Sequence, residues 1–262
     1  MDYQHILFEV KDGIARITLN RPEVYNAMNM RMSLDLMHAA IACDEDPNVR
    51  CVVLTGAGKA FGAGGDLASF ASAGDNVPAL MKEMTTYFHG AVSRFARMNA
   101  PLIVAVNGVA AGAGFSTMLM GDIAVAAESA RFTLAYTKAG LTPDGGSTYY
   151  LGRATGLRRA VELALTNRTL TAREALEWGI VNKVVPDADL AAETDALARA
   201  LAAGPTRAFG GAKRLLAQGL EETLETQMEY EARSIADMAR GGDGREGIAA
   251  FVAKRAPNFT GR

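Results

Sequence analysis

The first apolar positions of the chain fall in two short segments. Ile6 to Val10 and Ile14 to Leu19 are rich in β-branched and aromatic residues, and Lys11-Asp12-Gly13 separates them. Two such runs joined by a short turn that contains glycine are typical of a β-hairpin. The sequence therefore predicts that the chain begins with two paired strands.

Apolar residues recur at steps of three and four in two later segments. Asn29 is a suitable N-cap for a helix whose repeat is Met30, Leu34, Met37 and Ile41. A longer amphipathic helix is predicted before Pro101, with the repeat Met81, Met84, Phe88, Val92 and Phe95. Since Met and aromatic stripes at this spacing usually face a core, we interpret the second repeat as core rather than as a binding surface.

Several apolar runs have the length of buried strands, and glycine-rich loops follow them. The strands are predicted at Val49 to Thr55, Leu102 to Val106, Ile123 to Ala127 and Arg131 to Thr133. The loops run over Gly56 to Leu67, Asn107 to Asp122 and Gly140 to Ser147. Strands that alternate with helices predict βαβ units and an α/β fold. After residue 150 helical patterns dominate, and only Ile180 to Val185 resembles a strand.

Composition narrows the class of protein. The 262 residues are 49% apolar and 21% charged with a net charge of −2, which favours a soluble globular protein without a nucleic-acid surface. The N-terminal segment lacks a secretory pattern, and Cys43 and Cys51 are too few for a disulfide framework, so we expect a cytoplasmic location. Met98 to Gly121 carries no charge, but its Asn107, Ser116, glycines and alanines argue against a membrane span.

The segment from Asn107 to Asp122 combines a strand, a turn of small residues and the start of a helix. The first N–H groups of a helix have no partner within the helix, and the helix dipole favours negative charge there. Such a turn can hold an anion, or an oxygen that becomes negative during a reaction. Tight packing of a helix on a sheet is the alternative explanation, and neither of the common nucleotide-binding glycine motifs is present.

Carboxylates are the strongest candidates for chemistry. The three histidines, His5, His38 and His89, show neither metal spacing nor a neighbouring nucleophile. Asp66 and Asp122 fall near helix ends, where capping or a salt bridge is the default explanation. Asp144 lies between Pro143 and Gly145-Gly146, just before a predicted helix. It is either an N-cap or, in an apolar pocket that raises its pKa, a base that transfers protons.

Motifs along nearly the whole chain resemble the enoyl-CoA hydratase/isomerase (crotonase) superfamily. They are LNRPEVYNAM, VLTGAGKAFGAGGDL, NGVAAGAG with Gly121-Asp122, the loop around Pro143, ALEWGIVNKVV and REGIAAFVAKRAPNF. Each is weak alone, but their combination and order are specific. GVAAGAG, Lys138 to Leu141 and Pro143-Asp144 are most similar to the branch that contains 1,2-epoxyphenylacetyl-CoA isomerase and Δ3,Δ2-enoyl-CoA isomerases.

The resemblance implies an architecture and partners. It implies an α/β crotonase (ClpP-like) fold of repeated ββα units with a helical C-terminal region. We expect a core with the acyl-CoA site over residues 1–200 and a helical trimerisation region over residues 201–262. The substrate would be an acyl-CoA thioester, with CoA as part of the substrate and no metal or other cofactor. A homotrimer or homohexamer is the expected assembly.

The resemblance also implies roles for single residues. Backbone N–H groups of Ala63 and Ala113 would form an oxyanion hole for the thioester carbonyl. Asp144 would take a proton from the carbon next to the thioester and return it two carbons further on. The implied substrate-binding residues are Ala27, Ala63, Gly64, Gly65, Asp66, Leu67, Ala113, Ser116 and Tyr136.

Two positions depart from the hydratases of this superfamily. Ser116 and Tyr136 stand where those enzymes carry glutamates, so the resemblance favours an isomerase over water addition. The alternatives are a hydratase-like lyase and an aryl-CoA dehalogenase, because Asp144 and LRRAVELALTNRTL also resemble 4-chlorobenzoyl-CoA dehalogenase. A member that binds acyl-CoA without catalysis is the alternative from another class.

Overall fold

The computed structural model describes residues 2–262, and the predicted hairpin opens it. Strand β1 (Ile6–Lys11) pairs antiparallel with β2 (Ile14–Leu19). The turn residues Asp12 and Gly13 both have positive φ, 53° and 76°. That combination is the type I′ geometry that matches the twist of two hairpin strands. The hairpin prediction is confirmed.

Helix α1 (Met30–Glu45) begins where the sequence predicts. The Asn29 side chain accepts a hydrogen bond from the N–H of Met32 and caps the helix. The buried face differs from the predicted repeat, because Ile41 is 39% exposed while Met32 and Leu36 are fully buried. Small residues of the same face, including Ala39, let α1 lie close to its neighbours, and apolar spacing alone does not reveal this.

Three ββα units form the middle of the chain, which confirms the predicted α/β fold. The first contains β3 (Cys51–Gly56), β4 (Ala60–Gly62), α2 (Leu67–Ser72) and α3 (Val77–Arg97); the second contains β5 (Leu102–Val106), β6 (Val109–Ala111) and α4 (Ala113–Leu119); the third contains β7 (Ile123–Ala127), β8 (Arg131–Thr133) and α5 (Ser147–Thr155). Strands β4 and β6 lie within segments that the sequence predicts as glycine-rich loops. Strands of three residues are too short to show an alternation.

The later part of the chain is mainly helical. It contains α6 (Leu157–Thr166), β9 (Leu170–Thr171), α7 (Ala172–Glu177), β10 (Lys183–Val185), α8 (Leu190–Ala202), α9 (Thr206–Gln218), α10 (Leu224–Arg240) and α11 (Gly242–Val252). Short 3₁₀ turns cover Pro22–Val24, Gly74–Asn76, Tyr136–Ala139 and Asp187–Asp189. The division of the chain at residues 200 and 201 stays a prediction, and it falls inside α8.

The first strand of each unit joins one large sheet, of order β1-β2-β3-β5-β7-β10. All pairs from β2 to β10 are parallel. Alternate side chains therefore enter two cores, as in β3, where Val52 and Leu54 face one side and Cys51 and Val53 the other. Helix α8 covers the second face, where Ala198 is fully buried.

The second strand of each unit joins a small sheet, of order β4-β6-β8-β9. Strands β4, β6 and β8 run parallel, with Ala60 paired to Val109 and Val109 paired to Arg131. The carboxyl ends of parallel neighbours meet at one edge of a sheet. The connections that follow these three strands therefore lie side by side, and each leads into a helix or a 3₁₀ turn.

Gly114 lets α4 lie directly on β4. A Cβ at this position would stand 2.1 Å from the carbonyl oxygen of Gly62. We expect Gly114→Ala to lower the free energy of unfolding by about 3 kcal/mol, because two backbone segments would have to separate. Gly152→Ala in α5 is the matched control, since its Cβ would meet no atom within 4 Å. It should raise the free energy of unfolding by roughly 0.5–1 kcal/mol. Equal effects of both variants in urea denaturation would contradict the close approach.

Candidate active site

A cavity of about 310 Å³ opens at the edge where β4, β6 and β8 end. Residues from all three ββα units, including helix α3 of the first unit, line it. The residues that line it are Ala63, Gly64, Gly65, Leu67, Phe70, Met81, Lys82, Met84, Thr85, Gly112, Ala113, Ala135, Tyr136, Ala139, Leu141, Thr142 and Asp144. The structure thus brings together seven of the predicted site residues: Ala63, Gly64, Gly65, Leu67, Ala113, Tyr136 and Asp144.

The N–H of Ala113 is free at this cavity. Ala113 is the first residue of α4, and within residues 2–262 its N–H has no hydrogen-bond acceptor. The preceding Gly112 donates its own N–H to the carbonyl of Thr133 at 3.1 Å, which anchors the turn to β8. An unpartnered N–H at a helix start suits an oxygen that gains negative charge.

The assignment of Ala63 as the second donor is wrong. Its N–H donates to the carbonyl of Tyr25 at 3.0 Å and is therefore occupied. Gly65 is the better candidate, because Met28 bonds to its two neighbours: the Met28 N–H donates to Gly64, and the Asp66 N–H donates to Met28. In a parallel pairing, the residue between two such bonds directs its own N–H away from the partner.

The N–H of Gly65 lies close to the turn that carries Ala113. Within the described residues it has no acceptor, and a Cβ placed on Gly112 would stand 4.0 Å from the Gly65 nitrogen. Gly65 and Ala113 therefore present a pair of backbone donors from two adjacent connections. Such a pair can hold one carbonyl oxygen between them.

Asp144 faces the same cavity and does not cap a helix. The N-cap of α5 is Gly146, and Asp144 accepts from Ser147 only through its backbone carbonyl. Its carboxylate oxygen Oδ1 accepts a hydrogen bond of 2.5 Å from the hydroxyl of Tyr136. Burial raises the pKa of Asp144, and the hydrogen bond from Tyr136 offsets this only in part. A carboxylate with a raised pKa suits proton transfer near neutral pH.

His89 holds the loop of Asp144 in place. Its Nε2 accepts a hydrogen bond of 3.0 Å from the N–H of Gly145, the residue after Asp144. Local sequence patterns do not indicate this contact, because 56 residues separate the two partners. His89 is therefore a structural residue that positions the loop of Asp144.

Tyr136 and Ser116 form a polar group behind Asp144. The Ser116 side chain is fully buried, and its Oγ lies 2.8 Å from the Tyr136 hydroxyl oxygen. Burial, followed by the charge of Asp144, raises the pKa of Tyr136, so this hydroxyl keeps its proton. Ser116 itself does not line the cavity.

Asp66, Ala27 and Asp122 do not line the cavity. Asp66 accepts from the N–H of Ser69 and caps α2, and it pairs with Arg21 at 2.9 Å. Arg21 also donates to the carbonyl of Ala27 at 2.6 Å. Asp122 pairs with Lys213 at 2.6 Å and accepts from the N–H of Leu102. The cap and salt-bridge explanations of Asp66 and Asp122 are therefore confirmed.

Two methionines of the predicted core stripe on α3 line the cavity. Of the stripe on α3, Phe88, Val92 and Phe95 are core as expected, but Met81 and Met84 line the cavity. Phe70, Leu67 and Leu141 are further apolar residues of the cavity wall. Flexible methionines at such a wall suit an acyl group of irregular shape.

The structure contains no helix long and apolar enough to cross a membrane within residues 2–262. The uncharged run from Met98 to Gly121 consists of β5, β6 and α4. In the same described part of the chain, no group of three or more His, Cys, Asp or Glu side chains could hold a metal ion.

Comparisons with known proteins agree on one family. The family model described as enoyl-CoA hydratase/isomerase matches residues 9–262. A 1,2-epoxyphenylacetyl-CoA isomerase of Escherichia coli (strain K12) is 42% identical over 99% of both chains. A 4-chlorobenzoyl coenzyme A dehalogenase of Arthrobacter sp is 38% identical over 88% of this chain and 84% of its own. The crystal structure of an enoyl-CoA hydratase from Polaromonas sp. JS666 has a TM-score of 0.92, 32% identity and coverage of 97% and 99%.

The pair of Arg21 and Asp66 generates a stability prediction. Asp66→Ala removes the cap of α2 and leaves the guanidinium of Arg21 without its carboxylate, so we expect a loss of about 3 kcal/mol in the free energy of unfolding at neutral pH. Burial raises the pKa of Asp66, but the bonds from Ser69 and Arg21 outweigh it and hold that pKa below its usual range. The ionised carboxylate therefore stabilises the fold at pH values above the pKa that Asp66 has in the unfolded chain. This contribution is lost as the pH falls through the lower pKa of the folded protein.

Urea denaturation at several pH values measures this difference. Asp75→Ala, at an exposed carboxylate just after α2, is the control and should change the free energy of unfolding little. A loss for Asp66→Ala that persists unchanged in strong acid would contradict the role of the ionised pair.

Proposed function

This chain belongs to the enoyl-CoA hydratase/isomerase family, and we propose that it acts there as an acyl-CoA isomerase. It would shift a double bond, or open an epoxide, next to a CoA thioester. One observation carries this proposal: Asp144 is the single carboxylate among the described residues that line the cavity, and it shares that cavity with the free N–H groups of Gly65 and Ala113.

Each of these groups has a role in the proposed reaction. The thioester carbonyl accepts hydrogen bonds from Gly65 and Ala113. Asp144 takes a proton from the carbon next to the thioester, and the electron pair of that C–H bond moves into an enolate whose oxygen the two donors stabilise. Asp144 then returns the proton two carbons further on, and the electron pair forms the shifted double bond. Donors that hold the enolate are worth roughly 100- to 1000-fold in rate each.

The hydroxyl pair supports isomerisation over hydration. Water addition needs side chains that activate a water molecule and protonate the substrate. Ser116 and Tyr136 occupy the positions where the resemblance implies glutamates, and both are engaged with Asp144 or with each other. A protonated tyrosine and a buried serine cannot act as general bases near neutral pH. The 42% identical relative named as an isomerase supports the same choice.

The cavity wall supports a compact apolar acyl group. Phe70, Met81, Met84 and Leu141 surround the space next to the polar turns. We propose that the acyl part is an aromatic-derived or short enoyl group, with CoA as part of the substrate. A cytoplasmic location fits Cys43 and Cys51, which are both buried and unpaired.

The substitution Asp144→Asn tests the reaction. It keeps the shape of the side chain and removes the base, so we expect the conversion of 3-enoyl-CoA to 2-enoyl-CoA to fall about 100- to 10000-fold. Ultraviolet absorbance and mass spectrometry follow the products, and calorimetry should show acyl-CoA binding preserved. Asp75→Asn is the control for the loss of one carboxylate, and it should keep wild-type turnover.

Three outcomes would overturn the isomerase proposal. Water addition to crotonyl-CoA faster than isomerisation would favour a hydratase. Chloride release from 4-chlorobenzoyl-CoA would favour a dehalogenase, in which Asp144 is the nucleophile. Binding of acyl-CoA without turnover on a panel of enoyl and aromatic substrates would favour a protein that only binds.

We also propose that the chain assembles as a homotrimer, alone or paired into a homohexamer. Large apolar side chains on α10 and α11 support this, with exposed fractions of 72% for Ile235, 86% for Phe251 and 77% for Val252. Sedimentation equilibrium should give three or six times the mass of one chain. Phe251→Asp should weaken the assembly, because a charge would enter an apolar contact. A wild-type monomer at micromolar concentration would contradict the proposal.

A further inference from the structure

Two hydroxyl groups, in a line of hydrogen bonds, connect the interior of α4 to the candidate base. Ser116 Oγ lies 2.8 Å from the Tyr136 hydroxyl oxygen, which lies 2.5 Å from Asp144 Oδ1. Ser116 is fully buried, and a Cβ on Gly145 would stand 2.8 Å from the Cβ of Ser116, so the loop of Asp144 lies directly against it. A buried hydroxyl in such a position needs partners for its hydrogen and its lone pairs.

Counting hydrogens fixes the direction of this line. An ionised carboxylate carries no hydrogen, so the hydroxyl of Tyr136 donates to Asp144 Oδ1. The hydrogen of the 2.8 Å contact therefore belongs to Ser116, which donates to Tyr136. Ser116 Oγ also lies 3.3 Å from the carbonyl of Gly112. If its hydrogen pointed there, the lone pairs of two oxygens would face each other at 2.8 Å.

We propose that Ser116 is a positioning residue for Asp144 and acts on it only through Tyr136. The Tyr136 hydroxyl, held by Ser116, engages Oδ1 and leaves Oδ2 as the oxygen that receives the proton from the substrate. This inference rests on the proposed function. The proton moves from carbon to Oδ2 and back, while Tyr136 and Ser116 keep their own hydrogens.

The same line of hydroxyls stabilises the ionised base. Donation by Ser116 polarises the O–H of Tyr136 and strengthens its bond to the carboxylate, since bonds in a chain reinforce one another. Besides Tyr136, the titratable groups near this site are His89, which accepts from the N–H of Gly145, and Lys82, which lines the same cavity; both lie on α3. Variants that keep His89 and Lys82 therefore isolate the effect of the hydroxyls.

The test measures how fast the protein exchanges the hydrogen next to the thioester of an acyl-CoA in D₂O, as a function of pH. The variants are Tyr136→Phe, Ser116→Ala and the double variant. The Tyr136 bond lowers the pKa of Asp144, so its loss raises that pKa. In Tyr136→Phe, the exchange rate should then fall off at a pH about one unit higher than in the wild type. Below that pH, the variant should exchange roughly tenfold more slowly than the wild type.

Ser116→Ala should shift the acid limb in the same direction by roughly a few tenths of a unit. The double variant should shift no further than Tyr136→Phe alone, because Ser116 has no other route to the base. Thr117→Val is the matched control: Thr117 is also fully buried in α4, but its hydroxyl donates to the carbonyl of Ala113 at 2.7 Å. It should leave the acid limb where the wild type has it.

Two results would overturn the inference while the isomerase proposal stands. In the first, Ser116→Ala leaves the acid limb unchanged although Asp144→Asn abolishes exchange. In the second, the Ser116→Ala shift adds in full to that of Tyr136→Phe, so that Ser116 acts by another path. Exchange that persists in Asp144→Asn would instead overturn the proposed function. Thermal unfolding and acyl-CoA binding identify any variant whose rate falls through misfolding.

Discussion

The parallel pairing of β4, β6 and β8 is the constraint on which the site depends. Their carboxyl ends meet at one edge of the small sheet, so three connections that are distant in sequence become neighbours. The first carries Gly65, the second Ala113, and the third leads to Tyr136 and Asp144. Close contact between Gly62 and Gly114 keeps the first two connections in register.

In this arrangement, hydrogen-bond donors offset part of the cost of burying the Asp144 carboxylate. The cavity wall is mostly apolar, so it penalises charge at Asp144, while the hydroxyl of Tyr136 recovers part of that penalty. Backbone N–H groups provide the opposite polarity without adding a formal charge. In the proposed reaction, negative charge moves from the Asp144 carboxylate to the thioester oxygen and back, and the two N–H donors stabilise it on that oxygen.

Local sequence signals predicted much of the fold, whereas the role of Asp144 as a base is implied by the resemblance and stays a proposal. The hairpin, the cap by Asn29 and the strand Leu102–Val106 depend on short-range patterns, and Asp144 stood out within its loop. The errors came from contacts between distant residues. The resemblance implies that Ala63 is a free donor. In the structure its N–H donates to the carbonyl of Tyr25, which lies 38 positions earlier in the chain. Met81 and Met84 have the spacing of core residues, and only the three-dimensional structure shows that they line the cavity.

The most direct measurement of the central claim is a crystal structure of the protein with an unreactive, saturated acyl-CoA. We expect the thioester oxygen to lie about 3 Å from the backbone nitrogens of both Gly65 and Ala113. The carbon next to the thioester should then face Asp144 Oδ2, with Oδ1 still bonded to Tyr136. A thioester carbonyl bound away from the two nitrogens, or an Asp144 side chain turned out of the cavity, would contradict the account.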